Sequence, residues 1–296
     1  MTDGFAVVDK EAGPTSHDVV ARARKRFGTR KVGHAGTLDP DATGVLVLGV
    51  GRATRLLQFL TGLDKSYETE IQFGVETSTL DAAGEVTATH EMGPLDVEVV
   101  RAATAGFLGD IQQIPPMVSA IKVDGRRLHE LAREGKEVDR PPRQVHVDRF
   151  DLEPVDAESG RWRASIECSS GTYIRSLAAD LGTALGGGAH VRTLRRRSVG
   201  PFTLDQAAPL DEAVIRPPAE GLSHLSQVRV ADDVAVSVGY GRVLRPEELG
   251  VDGDGPWVVL DGGGAVLAVY GSHKDTLVKP VMVLATAPSA ETDPGS

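Results

Sequence analysis

Asp39 stands in the stretch Gly33-His34-Ala35-Gly36-Thr37-Leu38-Asp39-Pro40, where one carboxylate is carried among glycines and a proline and an imidazole lies just upstream. The apolar run 45–50 follows it, with the length of a short buried strand. A carboxylate on an irregular segment held against a core sits where binding and catalytic residues collect. The ordinary aspartate pKa is about 3.9, so the group is ionised at neutral pH and can serve as nucleophile or base. The same residue types also make a plain turn, since Asp, Pro and Gly are the usual turn formers.

Composition narrows the choice of chemistry. The chain has 296 residues, one cysteine and eight histidines. A single cysteine excludes an internal disulfide and a cysteine-rich zinc site. Cys168 follows Ile166 in a strand-like segment and reads as a buried apolar thiol. The histidines lack the paired spacing of a metal motif, so neither metal nor cofactor is expected. No apolar run is long enough to span a bilayer and no leader is visible at Met1, which points to a cytoplasmic protein with no membrane association. Net charge is -10, but its distribution is uneven. Residues 1–65 carry ten Lys/Arg against seven Asp/Glu, whereas 205–296 carry six against fourteen. Basic clusters at 22–26, 30–31, 126–127, 140–143 and 192–197 suggest one face able to meet phosphates, although each cluster alone reads as a solvated face.

The elements that must position Asp39 can be drawn from periodicity. A strand over 5–9 leads through a Gly13-Pro14 turn to a helix capped by Thr15 or Ser16 and stopped by Gly28. A helix is expected around 53–60, where Leu56, Leu57 and Leu60 share a face. Residues 67–73 alternate as a half-buried strand. Residues 97–108 read as an amphipathic helix, 112–120 as an extended loop around Pro115-Pro116, and 126–134 as a basic helix. Strands over 145–152 and 163–168 precede a helix over 173–185 and a strand over 191–199. The order lacks a regular βαβ rhythm, so the expected class is α+β with a mixed central sheet. Domain boundaries are expected at 1–208, a connector at 209–224, a small C-terminal β-barrel at 225–286, and a disordered tail at 287–296.

Taken together, several segments resemble the bacterial TruB-type tRNA pseudouridine synthases. They are Asp9-Lys10 with Gly13; Lys31 to Pro40; Thr43 to Leu46; Gly51 to Arg55; Lys65-Ser66-Tyr67; Ile114-Pro115-Pro116 with Ser119-Ala120; Gly171-Thr172-Tyr173-Ile174-Arg175; and Leu194-Arg195-Arg196. They fall in the family's order and cover roughly the first two hundred residues. The resemblance implies the pseudouridine synthase fold, a PUA-like RNA-binding barrel at the C-terminus, and isomerisation of a uridine in the T loop of tRNA, position 55 in the usual convention. Val118 and His129 stand where the family more often has tyrosine, in an insertion over about 112–140 expected to grip the T-arm stem-loop.

That reaction breaks the glycosidic C1′–N1 bond, turns the uracil over and rejoins it through C5, with no redox change or metal. The resemblance makes Asp39 the reacting carboxylate, either adding to the sugar or removing its 2′ proton. Arg175 is then the cation that keeps Asp39 ionised, because a guanidinium binds carboxylate in a fork and does not deprotonate. The base must be flipped out of its stack at a cost of a few kcal/mol, and stacking on Tyr67 recovers part of that. Tyr173 and Leu194 are implied as pocket walls, His34 as the residue filling the space the base vacates, and Lys10 and Arg55 as phosphate contacts or braces of the Asp39 loop. No obligatory protein partner is expected, and the chain should act as a monomer.

Three other readings compete. One is the guide-RNA-dependent relative of this family, which would require protein partners; the 115–134 insertion favours the stand-alone form against it. A tRNA-folding chaperone would use the same basic face without chemistry. A glycosidase using Asp39 and Asp41 would need two carboxylates across a sugar-sized gap, which i, i+2 positions in one loop make awkward.

Overall fold

The computed structural model describes residues 3–118, 138–274 and 276–284, together with the backbone of 122–123 and 126–127. The first strand, β1 (Gly4–Lys10), leads to α1 (Ser16–Arg26), which Thr15 and Asp18 close with a capping box. Strands β2 (Val32–His34) and β3 (Thr43–Val50) flank the Asp39 segment. Where one helix was expected around 53–60, the chain makes a 3-10 stretch over Gly51–Leu57 and a single α-turn, α2 (Gln58–Thr61). Gly51 starts it at positive φ, and the tighter winding still buries Leu56 and Leu60.

β4 (Lys65–Phe73) alternates buried and half-buried residues along its whole length, as its polar–apolar alternation predicts. β5 (Val75–Thr77) and β6 (Val86–Thr89) form a separate hairpin. α3 (Val97–Ala105) ends three residues short of the expected 108, capped at its start by Asp96. Gln112 and Gln113, expected in a loop, belong instead to β7 (Gly109–Gln113). Lys122–Val123 (β8) pairs with Arg126–Arg127 (β9), so the expected basic helix does not begin at Arg126. The rest of that expectation, including His129, lies outside the described residues, as does the expected disordered tail. β10 (Arg143–Asp156), β11 (Arg161–Cys168), α4 (Ile174–Ala184) and β12 (Ala189–Val199) follow, and β13 (Phe202–Thr203) closes the region.

The large sheet runs β1-β3-β12-β4-β11-β10-β7, with β2 beside β3 and β13 beside β12. Only the β12–β3 contact is parallel, at Arg195↔Thr43 and Arg196↔Gly44, so the sheet is mixed. That contact draws the Asp39 segment towards the middle of the sheet, and α4 packs across β12 beside it. Trp162, Ile71, Ile166, Leu177 and Leu181 fill the core beneath.

The connector is not loose. Ala208 and Arg216 hydrogen-bond to the edge of β1, and Leu222 packs into the core with Phe5. Beyond it, β14 (Ser226–Arg229), β15 (Trp257–Leu260), β16 (Val266–His273) and β17 (Leu277–Val283) form a four-stranded sheet. Helices Asp232–Gly239 and Pro246–Leu249, which the strand rhythm did not suggest, complete this region. Val258, Leu260, Val266, Val269 and Met282 share one apolar cluster with Phe5, Val47, Leu56 and Leu60. Among the described residues no helix is long and apolar enough to cross a membrane.

Candidate active site

Most of the main-chain carbonyls around Asp39 are fastened. Lys10, buried beneath the loop, sends its Nζ to the carbonyls of Pro40 and Ala42, each at 2.7 Å, and of Glu11 at 2.9 Å. Ser16 Oγ, at the first residue of α1, accepts from Leu38 N at 2.8 Å and donates to Leu38 O at 3.0 Å. Arg196 donates from Nε to Val45 O, and from its terminal nitrogens to Gly36 O and Thr37 O. Gly44 sits at φ +102°, and a Cβ there would lie 2.2 Å from Arg196 O, so only glycine permits the parallel contact that brings Arg196 under the loop. Of the two roles expected for Lys10, the bracing one matches its geometry.

Held this way, Asp39 projects into a cavity of about 400 Å³. Its side chain keeps 42% of its accessible area, all that the surrounding walls leave open. Arg175 meets it with Nη2–Oδ2 at 3.0 Å and is itself only 5% exposed. The guanidinium is shared: its Nη1 reaches Asp81 Oδ2 at 3.2 Å and Thr79 O at 2.9 Å, and its Nη2 reaches Val118 O at 2.9 Å. Positive charge in the first turn of a helix opposes the helix dipole; two carboxylates facing it offset that cost. Gln113 fixes the entry to α4, accepting from Tyr173 N at 2.7 Å and donating to Tyr173 O at 3.0 Å. Burial pushes the Asp39 carboxyl above the usual carboxylate value, Arg175 and Lys10 pull it down, and Asp81 and Asp41 push it up.

Tyr67, Tyr173 and Leu194 line the same cavity. Tyr67 is buried on β4 and shares the cavity wall with Arg196, and burial raises its pKa. Leu194 also borders a second cavity on the Asp81 side, so it and the Asp39–Arg175 pair form the wall between the two. Asp41 is exposed; it does not line the 400 Å³ cavity, and it borders the second cavity beside Asp39.

Two expected site residues lie elsewhere. His34, at the end of β2, packs edge-to-face on His17 at 5.3 Å and does not line the cavity; its buried Nδ1 has no partner among the described residues. Burial, then His17 and Arg196, hold its pKa down, so its imidazole favours the neutral form. Arg55 does not brace the Asp39 loop: it is exposed and donates to Val283 O at 2.8 Å, tying the 3-10 stretch to β17.

The site also holds residues that the sequence does not single out: Lys65 and Arg196 line the cavity, and Asp81 lines the neighbouring one. Lys65 and Arg196 lie in quoted motifs, but a β-strand pattern does not announce a buried cation. Asp81 follows Leu80 in an ordinary polar turn and gives no sequence signal of its own. The basic run 192–197 is largely occupied within the protein: Arg195 pairs with Asp9 at 2.7 Å, Arg196 is buried, and Arg197 meets Glu68 at 3.5 Å.

Residues 24–174 match the TruB family pseudouridylate synthase N-terminal domain, and 175–214 match the C-terminal domain of tRNA pseudouridylate synthase B. The chain belongs to the TruB pseudouridylate synthase family. Its relatives include the tRNA pseudouridine synthase B of Arthrobacter sp. (strain FB24), 43% identical over 98% of this chain and 99% of that one. The Rhodococcus jostii (strain RHA1) protein of the same name is 48% identical over 96% and 94%. Among solved structures, a Cbf5-Nop10-Gar1 complex aligns with a TM-score of 0.73 at 24% identity, over 96% of this chain and 85% of that one. An H/ACA RNP bound to a substrate RNA containing 2′-deoxyuridine aligns at 0.71 and 23%, over 96% and 86%. At those identities the likeness speaks to the pseudouridine synthase fold, which family membership shares.

Proposed function

We propose that this chain is a tRNA pseudouridine synthase that converts a T-loop uridine, position 55 in the usual convention, to pseudouridine. The observation that carries the reading is the Asp39–Arg175 pair at 3.0 Å, open to a cavity large enough for a flipped base. In it, Asp39 attacks C1′ or removes the 2′ proton while the C1′–N1 bond breaks. Arg175 keeps the carboxylate ionised in a site whose burial favours protonation. The flipped uracil lies against Tyr67, with Tyr173 and Leu194 excluding water. His34, packed on His17, fills the stack that the flipped base vacates in this reading. Lys10 acts through the loop it braces.

Residues 1–208 carry the chemistry in this reading, and 225–286 add RNA contacts at a distance from it. The T-arm stem-loop is the minimal substrate, and the reaction runs in the cytoplasm. The test is to incubate the purified protein, without added metal or nucleotide, with an unmodified T-arm stem-loop and map pseudouridine, with Asp39→Asn alongside. One modified uridine with the unsubstituted chain and none with Asp39→Asn is expected. Product from Asp39→Asn at an undiminished rate would overturn the assignment.

A further inference from the structure

The cavity around Asp39 holds more positive charge than its carboxylate can use. Arg175 is matched by Asp39 and Asp81. Arg196, 1% exposed, donates to three main-chain carbonyls. Lys65, 8% exposed, donates to Leu63 O at 2.5 Å and Thr61 O at 3.3 Å, and an ammonium has a third donor. Among the described residues neither Lys65 nor Arg196 has a carboxylate partner. Burial and the neighbouring Arg196 push the Lys65 ammonium down to about 8. An unpaired buried cation is expensive to keep, and such costs persist where a site uses them.

A group that arrives neutral and becomes negative during the reaction would use this field. The target base does so: when C1′–N1 breaks, the electron pair leaves with N1 and spreads over N1, O2 and O4. The ring turns, C5 shares a pair with C1′, C5 loses its proton and N1 gains one, so atoms and electrons balance without an oxidant or co-reactant. We propose that Lys65, with Arg196 behind it, supplies the positive charge that stabilises the detached uracil anion; this rests on the reaction proposed above. Fixed charge aimed where charge develops acts on the transition state rather than on binding. A phosphate-binding lysine would do the reverse, holding RNA without speeding the chemistry.

Lys65→Met, close in volume and uncharged, separates these roles in single-turnover reactions on T-arm RNA carrying either uridine or 5-fluorouridine at the target position. Fluorine withdraws electrons and stabilises the detached anion by itself. The expected result is a loss of about 100-fold in C1′–N1 cleavage with uridine, a clearly smaller loss in C1′–N1 cleavage with 5-fluorouridine, and unchanged RNA affinity. The C5 of 5-fluorouridine has no proton to lose, so its C5-linked, fluorine-retaining product is read instead. Thermal unfolding of Lys65→Met is expected to match or exceed that of the unsubstituted chain, since an unpaired charge has been removed. Equal losses on both substrates would make Lys65 structural and overturn the proposal. Weakened RNA binding with an unchanged single-turnover rate would move it to a phosphate and also overturn it. No product from the unsubstituted chain on uridine would instead sink the underlying function, and this proposal with it.

Discussion

At the scale of single residues, the decisive arrangement is one guanidinium between two carboxylates. Arg175 lowers the pKa of Asp39 while burial and Asp81 raise it, and the raising influences win. Activity that needs the carboxylate should therefore fall on the acid side at a pH above the ordinary aspartate range. Arg175→Gln removes the lowering influence, so the acid limb should move to still higher pH and the rate at neutral pH should drop, with RNA affinity little changed. Single-turnover rates across the pH range, read beside a binding titration, check both parts; an equal loss of rate and affinity would place Arg175 on the RNA backbone. The same shift makes ionised Asp39 a cost to the fold, absent below the ordinary aspartate pKa and complete above the raised one.

At the scale of elements, the loop is shaped by what passes beneath it. The β3–β12 contact requires that residue 44 have no side chain, because Arg196 O occupies the place of its Cβ. Gly44→Ala should cost about 2–5 kcal/mol, combining strain at positive φ with a backbone clash. Urea denaturation measures it, and a change under 1 kcal/mol would mean that the two strands part readily. Much at this scale was legible in the sequence. The cap of α1 at Thr15 or Ser16, the alternation of β4 and the runs that form β1 and β3 are local patterns, and local patterns survive without knowledge of the fold. In the sequence Arg196 belongs to a basic run; its burial follows from strand order, which is not local. Gln113 was placed in a loop for the same kind of reason: the prolines after it dominate the pattern, whereas its strand pairing with Arg143 comes from thirty residues away. Asp81 was invisible because only folding brings it to Arg175.

At the scale of the whole molecule, the C-terminal sheet is part of the core that supports β1 and β3. Removing it would expose Phe5, Val47, Leu56 and Leu60, side chains worth roughly 1.5–3 kcal/mol each when buried. Residues 1–224 expressed alone should aggregate or unfold at least about 10 °C below the full chain in a thermal melt. Unfolding at the full chain's temperature would show that the shared cluster contributes little. The boundary between regions that the composition suggested is thus a change in sequence character, while the packing runs across it.

The fastening of the Asp39 segment also has a temporal side. Its main chain is tied to β1 through Lys10, to α1 through Ser16 and to β12 through Arg196. Most surface loops open on their own, far more often than the domain does. To swing free, this one would have to break its ties to all three elements. Asp39 therefore keeps the clock of the sheet, and heat or denaturant should silence the proposed chemistry and melt the fold together.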